Sequence, residues 1–443
     1  MKTVSRAILA VALACISPVA STAQQQATTR HEPVNEWRDD LTFLRGKLLA
    51  MHPDPYRKIT RAQFDAAADQ LDRSLASLSR EQSIVGVMRL VASLGDGHTS
   101  VLPGPQKRAG FHVLPLRFYL YSDDLYLDGA DRSYSEGLGG RLLAINGIPA
   151  AVAIRRAREI TPGDNPSTVN ARLPSYIIVP EILAGLGIIP TNADNVSISL
   201  DMSGTIRTLQ VKPVMPPEAH APPNIRSSYS ADWVDRGPAT PPTWLRRAGK
   251  SYWFDYDPKA GTLYLQYNSC DSDPADPMPK FAQGLLRAVE MRRPRRVIVD
   301  LRLNSGGEGY WNRYLLRALF RSDAAQHKGR LFVLIGRQTF SAGNMMAIEL
   351  EKYTDAILVG EPSGGSVQGF GNHEPVFLPN SGLGVMIATK FYQNDGPNDD
   401  RSALLPALAV AITPADYGSG RDPVLNAALR YKTPDHKTAQ AKP

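Results

Sequence analysis

Leu331-Phe332-Val333-Leu334-Ile335, followed two residues later by Gln338-Thr339-Phe340-Ser341-Ala342-Gly343-Asn344 and then by Met345-Met346-Ala347-Ile348-Glu349-Leu350, is the stretch that decides the fold. An apolar run, a turn of small residues and a second apolar run predict a buried strand, a tight turn and a helix. The turn holds a single serine. At a helix N-terminus the unpaired backbone N–H groups and the macrodipole favour developing negative charge. A serine nucleophile can be exposed there and its oxyanion stabilised. Taken alone, the residue reads first as an ordinary N-cap serine, so the surrounding segments have to decide.

Working outward, residues 262–267 read as a strand, 279–290 as a helix and 297–301 as a buried strand leading into Asn304-Ser305-Gly306-Gly307-Glu308-Gly309. Residues 310–320 read as a helix, and 356–359 as a strand ending in Gly360-Glu361-Pro362-Ser363-Gly364-Gly365. Repeated strand–loop–helix order implies parallel pairing with helices outside, an α/β core. Three loops then leave three strand ends on one side, where open α/β folds place their sites. Gly306 and Gly307 can offer backbone N–H groups to an anion, and with Ala342 they form a candidate oxyanion hole on two adjacent loops. Neither a dinucleotide nor a P-loop pattern is completed, which leaves no cofactor signal.

The N-terminal part is helical. Residues 34–49 carry Leu41, Leu44 and Leu48 and stop at His52-Pro53-Asp54-Pro55. Thr60 with Gln63 and Ser79 with Gln82 are capping-box pairs that start two further helices. The second carries Ile84, Val87, Met88, Val91 and Leu94 and ends at Gly95-Asp96-Gly97-His98-Thr99-Ser100, where glycines present an imidazole from a fixed base. Residues 111–128 turn β-like, and 137–147 read as a turn, a short strand and an Asn146-Gly147 turn. Strands are expected over 196–200 and 207–211. Eight prolines between 213 and 242 exclude regular structure there.

The 443 residues suffice for two or three domains. Lys2 and Arg6, a short apolar segment and Ser21-Thr22-Ala23 predict a signal peptide cut after Ala23, hence an exported and most simply periplasmic protein. A lipoprotein reading through Cys15 fails on the poor motif before it. Cys270 would be the one remaining cysteine, so no internal disulfide is expected. No segment is long enough to span a membrane. Net charge is +7, with the basic residues scattered apart from the Arg292-Arg293-Pro294-Arg295-Arg296 connection, which argues against nucleic acid.

A nucleophilic serine needs a base. Among eight histidines, His98 has the rigid glycine setting; His52 reads as a turn residue and His373 as a second candidate. No histidine pair has metal-ligand spacing, so no metal is expected. A third group must hold the imidazole tautomer, for which Asp399 and Asp400 are candidates.

His52-Pro53, residues 94–99, residues 299–307, Phe340-Ser341-Ala342-Gly343, residues 360–365 and the ending 416–425 together resemble the tail-specific (C-terminal-processing) serine proteases, in their tricorn-core and retinoid-binding-protein-like branch. The resemblance implies a crotonase/ClpP-like α/β catalytic core with an N-terminal helical domain and a small PDZ-like β module. It places Ser341 at the nucleophile, Ala342 with Gly306 and Gly307 at the oxyanion donors, His98 at the base and Asp400 at the acid. The position of the processing-branch lysine holds Ser366. The implied organisation is a signal peptide over 1–23, helices over 31–105, the β module over 106–212, a linker over 213–243, the core over 244–432 and a disordered tail over 433–443. Peptide or protein is the implied substrate. A Ser–Lys arrangement using Lys390 and a non-catalytic peptide- or lipid-binding protein of the same fold remain open at this point.

Overall fold

A computed structural model describes residues 33–101, 109–215, 228–238 and 240–432. The signal-peptide and tail segments lie outside these residues. The chain opens with helices α1 (Val34–Met51), α2 (Arg61–Ser74) and α3 (Arg80–Ala92) and the short strand β1 (Ser100–Val101). Both capping boxes form: Thr60 and Ser79 accept from the backbone N–H of Gln63 and Gln82, whose side chains accept back. His52 ends α1 in an extended conformation, as expected before Pro53.

The second region holds β2 (Leu116–Tyr121), β3 (Asp124–Asp131), β4 (Arg141–Ile145), β5 (Ile148–Pro149), α4 (Ala150–Arg158), α5 (Pro166–Tyr176), α6 (Pro180–Gly185), β6 (Val196–Met202), β7 (Thr205–Val211) and β8 (Trp233–Asp235). They build an antiparallel sheet in the order β2-β3-β4-β6-β7, with β5 on β4 and β8 on β3. Asn146 and Gly147, both at positive φ, make the turn after β4. The proline-rich stretch departs from its expected irregularity at β8. No proline falls between 223 and 238, so Trp233–Asp235 is free to pair with Gly129–Asp131.

The third region runs α7 (Thr243–Arg246), β9 (Tyr252–Asp257), β10 (Thr262–Tyr267), α8 (Met278–Arg292), β11 (Arg296–Asp300), α9 (Asn312–Phe320), β12 (Leu331–Ile335), α10 (Ser341–Tyr353), β13 (Ile357–Gly360), β14 (Gln368–Phe377), β15 (Gly384–Gln393), β16 (Leu408–Ala409), α11 (Pro414–Ser419) and α12 (Pro423–Arg430). The sheet order is β16-β13-β12-β11-β10-β9, parallel except at β9. Strands β11 and β12 are apolar on both faces because both are covered. Val297, Val299, Val333 and Ile335 pack in one core with residues of α8, α9 and α10. Ile298, Phe332 and Leu334 pack on the other face with Val424 and Ala428 of α12.

The hairpin of β14 and β15 ties this sheet to the rest. β1 pairs with β15 through Ser100 with Met386 and Val101 with Val385. Val376, Leu378, Leu383, Val385 and Ile387 of the hairpin join the large core built from the N-terminal helices and the antiparallel sheet. Since β1 begins two residues after His98, the hairpin fixes where that histidine stands.

Candidate active site

Ser341 opens α10 with φ of +50°, in the left-handed region where a non-glycine residue is strained. Phe340 is the N-cap, and no side chain caps the helix. The serine hydroxyl is therefore not spent on the helix N–H groups. It meets His98 instead, with Nε2 and Oγ 3.0 Å apart across 243 positions of sequence. Ser341 is half-buried and lines a cavity of about 310 Å³ together with His98, Asp164, Gly307, Glu308 and Lys390.

The elbow depends on backbone contacts that leave no room for side chains. A methyl group on Gly306 would stand 2.6 Å from Ser341 Cβ, and one on Gly343 would stand 2.6 Å from the Asn304 carbonyl oxygen. Gly306 and Gly307 have φ of +113° and +126°, open only to glycine at low cost. Asn304 is the hub. Its Oδ1 accepts the Gly306 N–H at 2.9 Å, its Nδ2 donates to the Tyr267 carbonyl at 3.0 Å, and its own carbonyl accepts the Phe340 N–H at 3.0 Å. The three candidate oxyanion donors thus divide. The Gly306 N–H is already engaged, whereas no acceptor among the described residues takes the Gly307 or Ala342 N–H.

His98 sits on a built floor. Its ring stacks on Phe340 at 4.5 Å between centroids and 23° between planes, and the Arg172 guanidinium covers the same phenyl ring at 5.0 Å. Asp96 Oδ1 accepts the His98 backbone N–H at 2.8 Å, and Asp96 Oδ2 pairs with His52 Nε2 at 3.1 Å. His52 is accordingly a buried partner of Asp96, not an exposed turn residue. Asp164 accepts the N–H of Gly97 at 2.7 Å and of Ser366 at 3.2 Å, joining the histidine loop to the loop after β13.

Burial holds the His98 imidazole below its usual range, with Arg172 and His373 acting in the same direction and Asp96 and Asp164 opposing. The ring is therefore neutral at pH 7 and able to accept a proton at Nε2. Burial pushes the Asp96 carboxyl up, but the hydrogen bond with His52, the His98 charge and hydrogen bonds from Thr99 and the His98 N–H outweigh it and hold it low.

The structure does not bring the acid expected from sequence to the His98 ring. Asp400 is exposed and makes no hydrogen bond to His98, whose Nδ1 is buried without a partner among the described residues. Asp400 lies in a loop held by Arg401, which binds Asp399 and Glu351 and anchors the loop beside α10. His373 is exposed, its ring 5.9 Å from that of His98. Lys390 lines the cavity with Nζ 5.9 Å from the Tyr392 ring and makes no hydrogen bond to Ser341. Sequence reasoning missed Asp164, Arg172 and the role of Phe340 as a platform. The Asn165-Pro166 helix start was the available signal for the first, but nothing local indicates what Asp164 faces. Among the described residues no cluster of three His, Cys, Asp or Glu side chains could hold a metal ion, and no helix is long and apolar enough to cross a membrane.

A parallel α/β sheet with a strained serine at a helix start, facing a neutral imidazole beside free backbone donors, defines the class of serine hydrolases. The description of peptidase family S41 matches residues 312–402, the segment from α9 through Ser341 to the loop after β15. Over those residues the chain matches a family of serine-type peptidases. No curated protein matches its sequence. Mature CPAF in complex with lactacystin is similar in structure at a TM-score of 0.62 and 14% identity, over 89% of this chain and 98% of that one. Mature CPAF alone gives 0.62 and 15%, over 89% and 96%. The photosystem II D1 C-terminal processing protease gives 0.39 and 15%, over 87% and 98%, and carries no part of the argument. At these identities the likeness concerns the mixed α/β fold alone.

Proposed function

We propose that the chain is an exported serine endopeptidase in which Ser341 attacks the scissile carbonyl and His98 is the general base. The Ser341 hydroxyl proton passes to His98 Nε2 as Oγ bonds to the carbonyl carbon. The oxyanion so formed accepts hydrogen bonds from the Gly307 and Ala342 N–H groups. The imidazolium then donates its proton to the leaving amine, and water repeats the sequence on the acyl-enzyme. Gly306 serves by holding the loop through Asn304. Among the described residues no carboxylate bonds the His98 ring; Asp96 and Asp164 stabilise the imidazolium through space, and Asp400 takes no part.

The six-stranded region with its helices acts in this reading as a crotonase/ClpP-like core. The antiparallel sheet acts as a PDZ-like module that scaffolds the cleft, and the helices before residue 105 deliver His98. The single observation that carries the proposal is the 3.0 Å contact between His98 Nε2 and Ser341 Oγ at the mouth of a cavity. A fluorophosphonate probe tests it. Labelling of the wild type that disappears in Ser341→Ala, and falls about 10²-fold or more in His98→Ala, is the expected result. Absence of labelling would instead favour a non-catalytic binder of peptides or lipids, and full labelling of His98→Ala would move the base to Lys390.

A further inference from the structure

A second, larger depression of about 640 Å³ adjoins the catalytic cavity and shares Gly309, Tyr310, Asn312 and Glu349 with it. Its wall is the outer face of α9. Arg313, Arg317 and Arg321 recur every fourth residue there, so one helix face carries all three guanidinium groups into the groove. Glu349 is the one carboxylate lining it. Arg313 stacks on the Tyr310 ring at 3.6 Å and donates to the Tyr310 carbonyl, and Arg321 pairs weakly with Glu290 at 3.6 Å. Arg317 is exposed and has no acidic partner among the described residues. Tyr310, exposed and lining both groove and cavity, packs edge-to-face against Trp311 and Tyr314. An exposed aromatic ring beside three exposed guanidinium groups suits an extended peptide carrying carboxylates.

Resting on the protease reading above, we infer that this groove is a substrate subsite selecting acidic side chains on one side of the scissile bond. The catalytic cavity itself carries Asp164, Glu308 and Glu349 against Lys390. Carboxylates of a substrate are thus disfavoured next to Ser341 and drawn to the arginines beyond Tyr310. The favoured substrate is an extended segment, neutral or basic at the scissile bond and acidic a few residues away.

Matched internally quenched peptides test this, one series with Asp and Glu at positions displaced from the cleavage point and the other with Asn and Gln. The expected result is a KM about tenfold lower for the acidic series at low ionic strength, with similar kcat. The gap should shrink in about 0.5 M salt. In the doubly substituted Arg313→Gln, Arg317→Gln enzyme the acidic series should lose its advantage while the amide series is unchanged, and Arg313→Lys with Arg317→Lys should restore most of it. Equal KM for the two series, in enzyme that fluorophosphonate still labels at Ser341, overturns the subsite and leaves the protease standing. An equal change of both series in the Gln variant overturns it as well. Failure of labelling in the unaltered protein rejects the protease reading itself.

Discussion

Ser341 holds a backbone conformation that costs a non-glycine residue about 1–3 kcal/mol, with Gly306 packed against it and Gly343 packed against Asn304. The strain lifts the hydroxyl off the helix start and toward His98. The imidazole is tuned in the matching direction. Because burial depresses its pKa, the folded protein disfavours the protonated ring. This contributes stability above the unfolded value of about 6.5 that is lost as pH falls through the lower folded value. The same shift sets the acid limb of activity. We expect kcat/KM toward a neutral peptide to fall on the acid side with a midpoint below 6.5, a profile measured with a substrate that does not titrate there. A midpoint at or above 6.5 would mean that the ring is not desolvated as described.

At the scale of elements, the hairpin of β14 and β15 carries the burden of bringing His98 to the sheet. Its turn is gripped by one carboxylate. Asp40 of α1 is fully buried and accepts the N–H of Asn380 at 2.9 Å and of Ser381 at 2.8 Å. Thr99, next to His98, accepts the Ala388 N–H of β15 at 3.0 Å. Asp40→Ala orphans two donors and should destabilise the protein by about 2–6 kcal/mol, each orphaned donor costing about 1–3 kcal/mol. Chemical denaturation checks the loss. Asp40→Asn, which retains one acceptor, should recover part of it. The helical periodicities and both capping boxes were legible in the sequence because every partner lies within four residues. The β14–β15 hairpin and α4 to α6 were not, since their stability comes from packing between elements remote in the chain. The proline count likewise hid β8, which exists because β3 offers it an edge.

For the molecule as a whole, the two proposed reacting groups stand beside different hydrophobic cores: Leu94 and Val101, on either side of His98, pack in the helical one, and Ala342, next to Ser341, packs in the sheet one. Besides the hairpin, the loop at Asp164 and Asn165 joins them. Asn165 caps α5 through Oδ1 to the Thr168 N–H at 3.0 Å. Its Nδ2 donates to the carbonyls of Ser363, Gly364 and Ser402 at 2.6–3.2 Å. Asn165→Asp keeps the cap but turns a carboxylate toward three carbonyls. Fluorophosphonate labelling should slow at least about tenfold while far-ultraviolet circular dichroism stays unchanged, because burial of an unpaired charge loosens docking before it melts the elements. Wild-type labelling rates in that variant would show that the loop does not govern the site.

The amino-acid sequence by itself determined the strand–turn–helix unit around Ser341, the glycine-flanked His98 and the parallel pairing of the core strands. Each of these is written in residues a few positions apart, through periodicity, capping and positive φ. Only the tertiary structure decided which backbone donors stay free, Gly307 and Ala342 but not Gly306, and which carboxylates surround the imidazole. Asp400 and Asp96 look alike in a sequence. One ends in solvent beside Arg401 and the other is sealed against His52, because burial is a property of what the rest of the chain packs around a side chain.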